Sequence, residues 1–293
     1  MKRTMIWAAA LWLLASAGFS QESSIKLSGG LGFATGGDLN KTIKGTSDLR
    51  RDFDGAAGEL KPVNLGLNFD VEFIHHFTPS LGLGLGIGYF RASKESGPLT
   101  SEIGIPGIFT LGSEYSIKPM ISAVPITLNV HYFLLAGSKL GFDLHAGVGY
   151  YLTMLDFGGT DVLYDSFFDQ ISEHWTEDTT FASTKGGLGF QAGIGFEFHV
   201  AASLAIVCDV FGRFASVSGF KGKYTYRESG DYTWQESASD YYFWSYDERF
   251  DGSPYAQFDF YTEKPEGEGI TNAKQGSVDL TGFGITLGLR IKF

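Results

Sequence analysis

From Phe283 to the last residue the chain alternates without a break. Phe283, Ile285, Leu287, Leu289, Ile291 and Phe293 are apolar, while Gly284, Thr286, Gly288, Arg290 and Lys292 are small, hydroxylated or cationic. A period of two places the two sets on opposite faces of a β-strand. Weaker versions of the same alternation recur upstream. They predict strands over 25–35, 64–76, 81–90, 118–134, 140–153, 187–200 and 204–220, ahead of the closing strand at 276–293. Pro119 and Pro125 interrupt the fourth of these. A proline lacks the N–H that a strand paired on both sides requires, so a bulge near Pro125, or a strand that starts after it, is expected.

The connections fall into two kinds. Those at 77–80, 135–139 and 201–203 are short turns. Those at 36–62, 93–117, 154–184 and 221–275 are long and largely polar, and read as loops. Short and long alternate strictly, and eight strands put both chain ends on the short-turn side. The predicted fold is an all-β, eight-stranded antiparallel up-and-down transmembrane barrel, with short periplasmic turns and four long extracellular loops. A soluble sandwich or lipocalin-like barrel would carry the same pattern with its faces inverted. The strand length, the glycine-rich polar faces and the terminal Phe favour the membrane.

If the polar faces met lipid, Asp70, Glu72, Asp143, Glu197, Asp209, Arg213 and Arg290 would enter hydrocarbon. One Arg or Lys at the bilayer midplane costs about 2–4 kcal/mol. Several together would exceed the stability of a typical domain, roughly 5–15 kcal/mol. The charges are therefore expected inside, with Lys26, His131, His145 and His199, as a paired lumenal network. Eight strands leave an interior only wide enough for side chains, so a sealed lumen is expected over an open pore.

The first twenty residues do not belong to this pattern. Lys2 and Arg3 precede an apolar run at 5–14, and Ala15, Ser16 and Ala17 supply small residues. This is the pattern of a secretory signal peptide over 1–20, leaving 21–293 as the barrel. The net charge of −11 over 293 residues argues against nucleic-acid binding. The lone Cys208 has no partner for an internal disulfide.

Candidate chemistry is sparse. The six histidines show no metal-ligand spacing, so no metal and no cofactor are expected. His174 alone lies near loop carboxylates, namely Asp169, Glu173, Glu177 and Asp178. The glycines at 84, 86 and 88 sit inside a strand with no helix after them, which excludes a phosphate cradle. No catalytic residue is assigned. The stretch 221–275 is unusual in being both aromatic and acidic, with eleven Asp and Glu against six Lys and Arg. Tyr232, Trp234, Tyr241, Tyr242, Trp244 and Tyr246 are its candidate recognition surface, because Tyr and Trp are favoured at such surfaces. A hairpin is expected around Ser229 and Gly230.

The signal pattern, the eight alternating strands and the closing run from Gly282 to Phe293 resemble the outer-membrane β-barrel domain family, similar to the OmpA membrane domain and the small OmpX- and OmpW-type barrels. The resemblance spans 21–293 and is one of pattern; only the terminal Phe strand is a sharp motif. It implies residence among outer-membrane lipids. It also implies that Phe283, Ile285, Leu287, Leu289, Ile291 and Phe293 form the signal read by the barrel-assembly machinery. The expected function is a structural or surface role, adhesion or ligand binding, through the long loops. A small porin or hydrophobic-solute channel is the alternative, and an outer-membrane enzyme the third reading.

Overall fold

The computed structural model describes residues 22–105, 108–136, 139–167, 170–230 and 232–293, with the side chains of 135–136 and 170–174 left aside. The 1–20 segment lies outside these residues. Among the described residues the chain is all-β apart from one helix. Its strands are β1 (Ser23–Phe33), β2 (Leu65–Thr78), β3 (Leu81–Ser93), β4 (Ser96–Ile105), β5 (Phe109–Ala136), β6 (Leu140–Phe167) and β7 (Gln170–Ala201). They continue as β8 (Leu204–Ser218), β9 (Lys221–Ser229), β10 (Thr233–Phe250), β11 (Ser253–Tyr261), β12 (Ile270–Gln275), β13 (Ser277–Asp279) and β14 (Gly282–Lys292). The helix, α1, spans Asp38–Phe53. All fourteen strands join in one antiparallel sheet.

Within that sheet eight strands form a cycle. β1 pairs with β2, β2 with β3, β3 with β5, β5 with β6, β6 with β7, β7 with β8, β8 with β14, and β14 with β1. β1 and the residue after β14 complete the seam: Ser23 N–H donates to Phe293 O at 3.0 Å and Phe293 N–H to Ser23 O at 2.9 Å. A cycle has no free edge, so every backbone group in it can be paired.

The two faces of these strands differ sharply. On β14 Leu287 is 64% exposed, whereas its neighbour Thr286 is 2% exposed. Leu67, Phe69 and Val71 on β2, and Leu188, Phe190, Ile194 and Phe196 on β7, point outward in the same way. Lys26, Glu72, Asp143, Glu197, Asp209 and Arg290 are buried on the inner face. This is the reverse of a soluble protein, in which contiguous exposed apolar area beyond a few hundred Å² is rare.

The long connections are folded, which corrects the loop expectation at all four. β5, β6 and β7 run for 28, 28 and 32 residues, reaching back to Phe109 within 93–117 and through most of 154–184. About 9–11 residues suffice to cross a bilayer core, so these strands continue well past the cycle. Where β3 ends, β4 takes its place beside β5. Where β8 stops pairing with β7, β9 takes over from Thr176 to Ser183. β10 then pairs with β9, β11 and β12. The result is a head continuous with the walls of the cycle. The expected hairpin around Ser229 and Gly230 corresponds to β9–β10, with Ser229 opposite Thr233.

The segment 36–62 contains α1. Only Leu39 and Ile43, one turn apart, supply large buried apolar side chains on the helix. Two glycines permit its seat. Gly37 precedes it at φ 62°, a conformation side chains rarely adopt. At Gly45 the helix lies so close to β11 that a Cβ would sit 1.9 Å from Ala256 O. The expected bulge at Pro125 is absent. Pairing of β5 with β3 lapses between Ile126 and Ala123 and resumes in the same register, while Pro125 stays opposite Tyr151 on β6. The missing N–H is absorbed by a lapse on one side only, without an extra residue.

Candidate functional site

Inward-facing residues of β1, β2, β5, β6, β7, β8 and β14 meet inside the cycle. Lys26 Nζ lies 2.9 Å from Glu72 Oε2 and 3.5 Å from Asp209 Oδ2. Glu72 Oε1 accepts from Asn129 Nδ2 at 2.6 Å and lies 3.1 Å from His131 Nε2. His131 Nδ1 is 3.0 Å from each oxygen of Asp143. Gln191 Nε2 donates to Asn129 Oδ1 at 3.0 Å, extending the network to β7. Glu197 and Arg290 form a direct, fully buried ion pair, and the Arg290 guanidinium sits 4.5 Å over the Phe133 ring. Buried charges survive only when paired in this way.

Four of the expected network members behave differently, among them His199, whose Nε2 comes only to 3.9 Å of Glu197 and has no hydrogen-bond partner among the described residues. Arg213 donates from Nε to Leu280 O at 2.9 Å and stacks 4.6 Å over Phe90, with no carboxylate bonded to it among the described residues. Asp70 accepts a short hydrogen bond from Asn68. His145 approaches Asp209 only to 3.8 Å, and its Nδ1 has no partner among the described residues. The network borders a cavity of about 30 Å³, lined by Lys26, Asp70, Glu72, His145, Asp209 and Arg213. That is room for one or two water-sized species. Phe90 and Tyr151, both fully buried, fill the interior on the head side of the cavity.

The head has a second core. Phe157 and Phe181 on the inner face of β6 and β7 pack against Phe260, at 5.5 and 4.3 Å between ring centroids. Phe243 and Phe258 join them, with Tyr224 stacked on Tyr241 at 4.7 Å. The helix is latched to this core. Arg50 Nη2 lies 2.9 Å from Asp161 Oδ2, and its guanidinium lies 4.2 Å over the Tyr115 ring. Burial, partly opposed by Arg50, pushes the Tyr115 hydroxyl up to about 12. Burial also raises the Asp259 carboxyl, beside the buried Phe260.

This core splits the candidate recognition surface. Trp244 and Tyr246 are buried, and Trp244 Nε1 donates to Tyr261 O at 3.1 Å. Tyr241 is packed into the core, and Tyr242 is half-buried with Lys221 Nζ 5.4 Å from its ring. Only Tyr232, 66% exposed, and Trp234, 48% exposed, face solvent at the β9–β10 tip. The six residues are not one open surface, because β11 and β12 cover the later part of β10. On the outer side of the head an open groove is lined by Lys118, Thr160, Asp178, Thr180, Arg227 and Gln235. Sequence reasoning missed it, because its residues come from five strands and, apart from Lys118, from stretches expected to be loop. Asp169 and the side chains of Glu173 and His174 lie outside the described residues.

No protein-family model and no curated relative matches the sequence. Among solved structures the chain is similar to a major outer membrane protein from Thermus thermophilus, at 15% identity and TM-score 0.34, covering 92% of this chain and 99% of that one. It is similar to the outer membrane protease OmpT from Escherichia coli, at 12% identity and TM-score 0.25, covering 95% and 100%. A Pseudomonas aeruginosa FadL homologue follows at 9% identity and TM-score 0.18, covering 94% and 91%. These TM-scores are too low to carry a fold or a role over to this chain. The geometry has to supply both.

The six apolar residues of the closing strand all lie on the outer face, between 43% and 67% exposed. Phe33 and Phe283 stack across the β1–β14 seam at 5.4 Å.

Proposed function

We propose that this chain is an integral outer-membrane protein. It is an eight-stranded transmembrane barrel that carries a folded head on the cell surface, where it acts in adhesion or ligand binding. The observation that carries this reading is the sign of the two faces. An unbroken apolar exterior surrounds a closed cycle whose interior holds buried ion pairs, and this suits hydrocarbon outside and protein inside. Among the described residues no helix is long and apolar enough to cross a membrane. The strands would therefore do the crossing. On this reading 1–20 is the export signal, and the odd-numbered residues from Phe283 to Phe293 address the barrel-assembly machinery.

The small interior cavity and the buried Phe90 and Tyr151 speak against a channel. The head supports a surface role, since the exposed Tyr232 and Trp234 sit on a β9–β10 hairpin that is itself paired to β7. The test has two arms. Refolded into liposomes, the protein should migrate anomalously on unheated gels and show no steady single-channel conductance. On whole cells, the double substitution Tyr232→Ser with Trp234→Ser should abolish surface binding at unchanged protein level. A steady conductance, or full binding by the double variant, would overturn the assignment.

A further inference from the structure

The interior contains a constellation that charge pairing alone leaves unexplained. We propose that it binds one divalent transition-metal ion through His131, Asp143 and His145, with Asp209 as a fourth donor.

The first three residues each offer a ligand atom within 4.8 Å of the others, and all are buried. His131 Nδ1 and the Asp143 oxygens are already 3.0 Å apart. Neighbouring ligand atoms on a tetrahedral ion with bonds of about 2.0–2.2 Å lie roughly 3.3–3.6 Å apart. A small outward adjustment admits an ion between them. The other ring nitrogen of His131 faces Glu72 Oε1 at 3.1 Å. A histidine that binds a metal through one nitrogen commonly donates from the other to a carboxylate, which fixes its tautomer and orientation. Glu72 is itself held by Lys26 at 2.9 Å and Asn129 at 2.6 Å.

A second, independent observation points the same way. His145 is 6% exposed, yet its Nδ1 has no hydrogen-bond partner among the described residues, and neither has Asp209 Oδ1. Both residues line the 30 Å³ cavity. Buried polar atoms are rarely left without a partner. Asp143 and Asp209 sit in one cross-strand row, with only Gly195 between them. His145 and His131 are direct cross-strand partners on β6 and β5. The charge balance also fits. Asp70, Glu72, Asp143, Glu197 and Asp209 face three buried cations, Lys26, Arg213 and Arg290, with Lys292 half-buried at the rim. A divalent cation offsets that excess. Two imidazoles with carboxylates suit Zn²⁺, Co²⁺, Mn²⁺ or Fe²⁺ better than the all-oxygen preference of Ca²⁺ or Mg²⁺.

Asp143 and His145 are two apart on β6, but His131 comes from β5 and Asp209 from β8, so no single sequence motif contains the set. The competing occupant is a proton, with His131 bridging Glu72 and Asp143 as an imidazolium.

The experiment refolds the chain in detergent from metal-free denaturant with one equivalent of Co²⁺. Excess ion is removed by size exclusion, and the folded fraction is taken by heat-modifiable migration. One Co²⁺ per folded chain is expected, with the intense visible bands of a four-coordinate site. His145→Gln and Asp143→Asn should each lose the bands, and Glu72→Gln should weaken binding about 10–100-fold. A folded wild-type chain free of cobalt would overturn the proposal and leave the proton as occupant. So would unchanged bands in the double variant His145→Gln, Asp143→Asn. Because the wild-type result decides alone, a variant that fails to fold does not blunt the test.

Discussion

Glu197 on β7 is joined to Arg290 on β14 across the intervening strand β8. The pair is sealed from solvent, so its two halves stand or fall together. Removing one partner strands a buried charge and typically costs about 3–5 kcal/mol, whereas replacing both with apolar groups of similar size is often neutral. Arg290→Met should therefore lower the unfolding free energy of the refolded protein by that amount, read as a fall in its urea midpoint at unchanged slope. Adding Glu197→Leu should restore most of the loss. Equal midpoints for the single and double variants would show that Arg290 acts through its stack on Phe133 instead.

The outer face makes a separate prediction. Leu287 is 64% exposed near the middle of the closing strand. If lipid covers it, Leu287→Arg should cost about 2–4 kcal/mol of folding stability in a bilayer. Leu287→Ile should cost well under half as much. A soluble fold would tolerate the arginine at an exposed site, so folding yields in liposomes and in detergent-free buffer discriminate directly.

Inside, Gly284 marks a tight packing point. A Cβ there would lie 2.5 Å from the Phe211 ring. Gly284→Val should thus cost about 1–3 kcal/mol through overpacking. Phe211→Leu in the same chain should recover part of it. Absence of any recovery would mean that the cost lies in the backbone and not in the ring.

The head has a pH-dependent latch. Asp38, in the first turn of α1, accepts from Ser277 N–H at 3.1 Å and Ser277 Oγ at 2.7 Å, and pairs with Lys274 at 2.9 Å. Burial alone would raise its carboxyl, but the hydrogen bonds from Lys274 and Ser277, with the Lys274 charge, hold it below the ordinary value. A carboxyl lowered in the folded state stabilises above its unfolded pKa of about 3.9, and the gain vanishes as pH falls through the folded value. Hydrogen-exchange protection of 38–53, corrected for intrinsic rates, should thus be full at neutral pH and fall below about pH 4. In Asp38→Asn it should be lower at neutral pH and nearly flat. Equal pH profiles would remove Asp38 from this role.

How much of this was legible depended on contrast between faces. Along 283–293 every outward residue is large and apolar and every inward one small or polar, so period two is plain. Above the apolar belt that contrast fades. On β6, Thr160 faces the outer groove and Asp161 faces Arg50, and both are polar. On β7, Thr179 and Thr180 are alike in character though they face opposite ways. A strand wet on one side and polar on the other carries no period to read, so its extension past Thr153 and below Gly187 was invisible. Helix α1 hides for a related reason. Its sequence offers Leu39 and Ile43 as the large apolar anchors of its inner face, and its seat depends on Gly45 meeting a β11 backbone more than 200 residues away. The lumenal charges were legible as a set because lipid excludes them. Their partners were not, since Arg213 turns to a carbonyl and His131 takes two carboxylates at once.

The last prediction concerns the dependence of the head on its longest insertion. Replacing Lys221–Gln275 with a short turn leaves β8 paired with β14 and β7, so the cycle should still close. The head should not survive. Phe181 is 1% exposed and Phe157 4%, and both are covered by Phe260. The helix would lose β11 from beneath Gly45 and the Lys274 contact to Asp38. Burying a Phe side chain is worth about 1.5–3 kcal/mol, so uncovering two undoes the core of the head, while α1 loses β11, the element it chiefly packs on. Heat-modifiable migration should therefore persist, while 38–53 loses exchange protection and the chain gains binding of a hydrophobic dye. Retained protection of 38–53 would mean that Arg50 with Asp161 and Tyr115 suffices to hold the helix. The insertion would then be an appendage, not a structural half of the head.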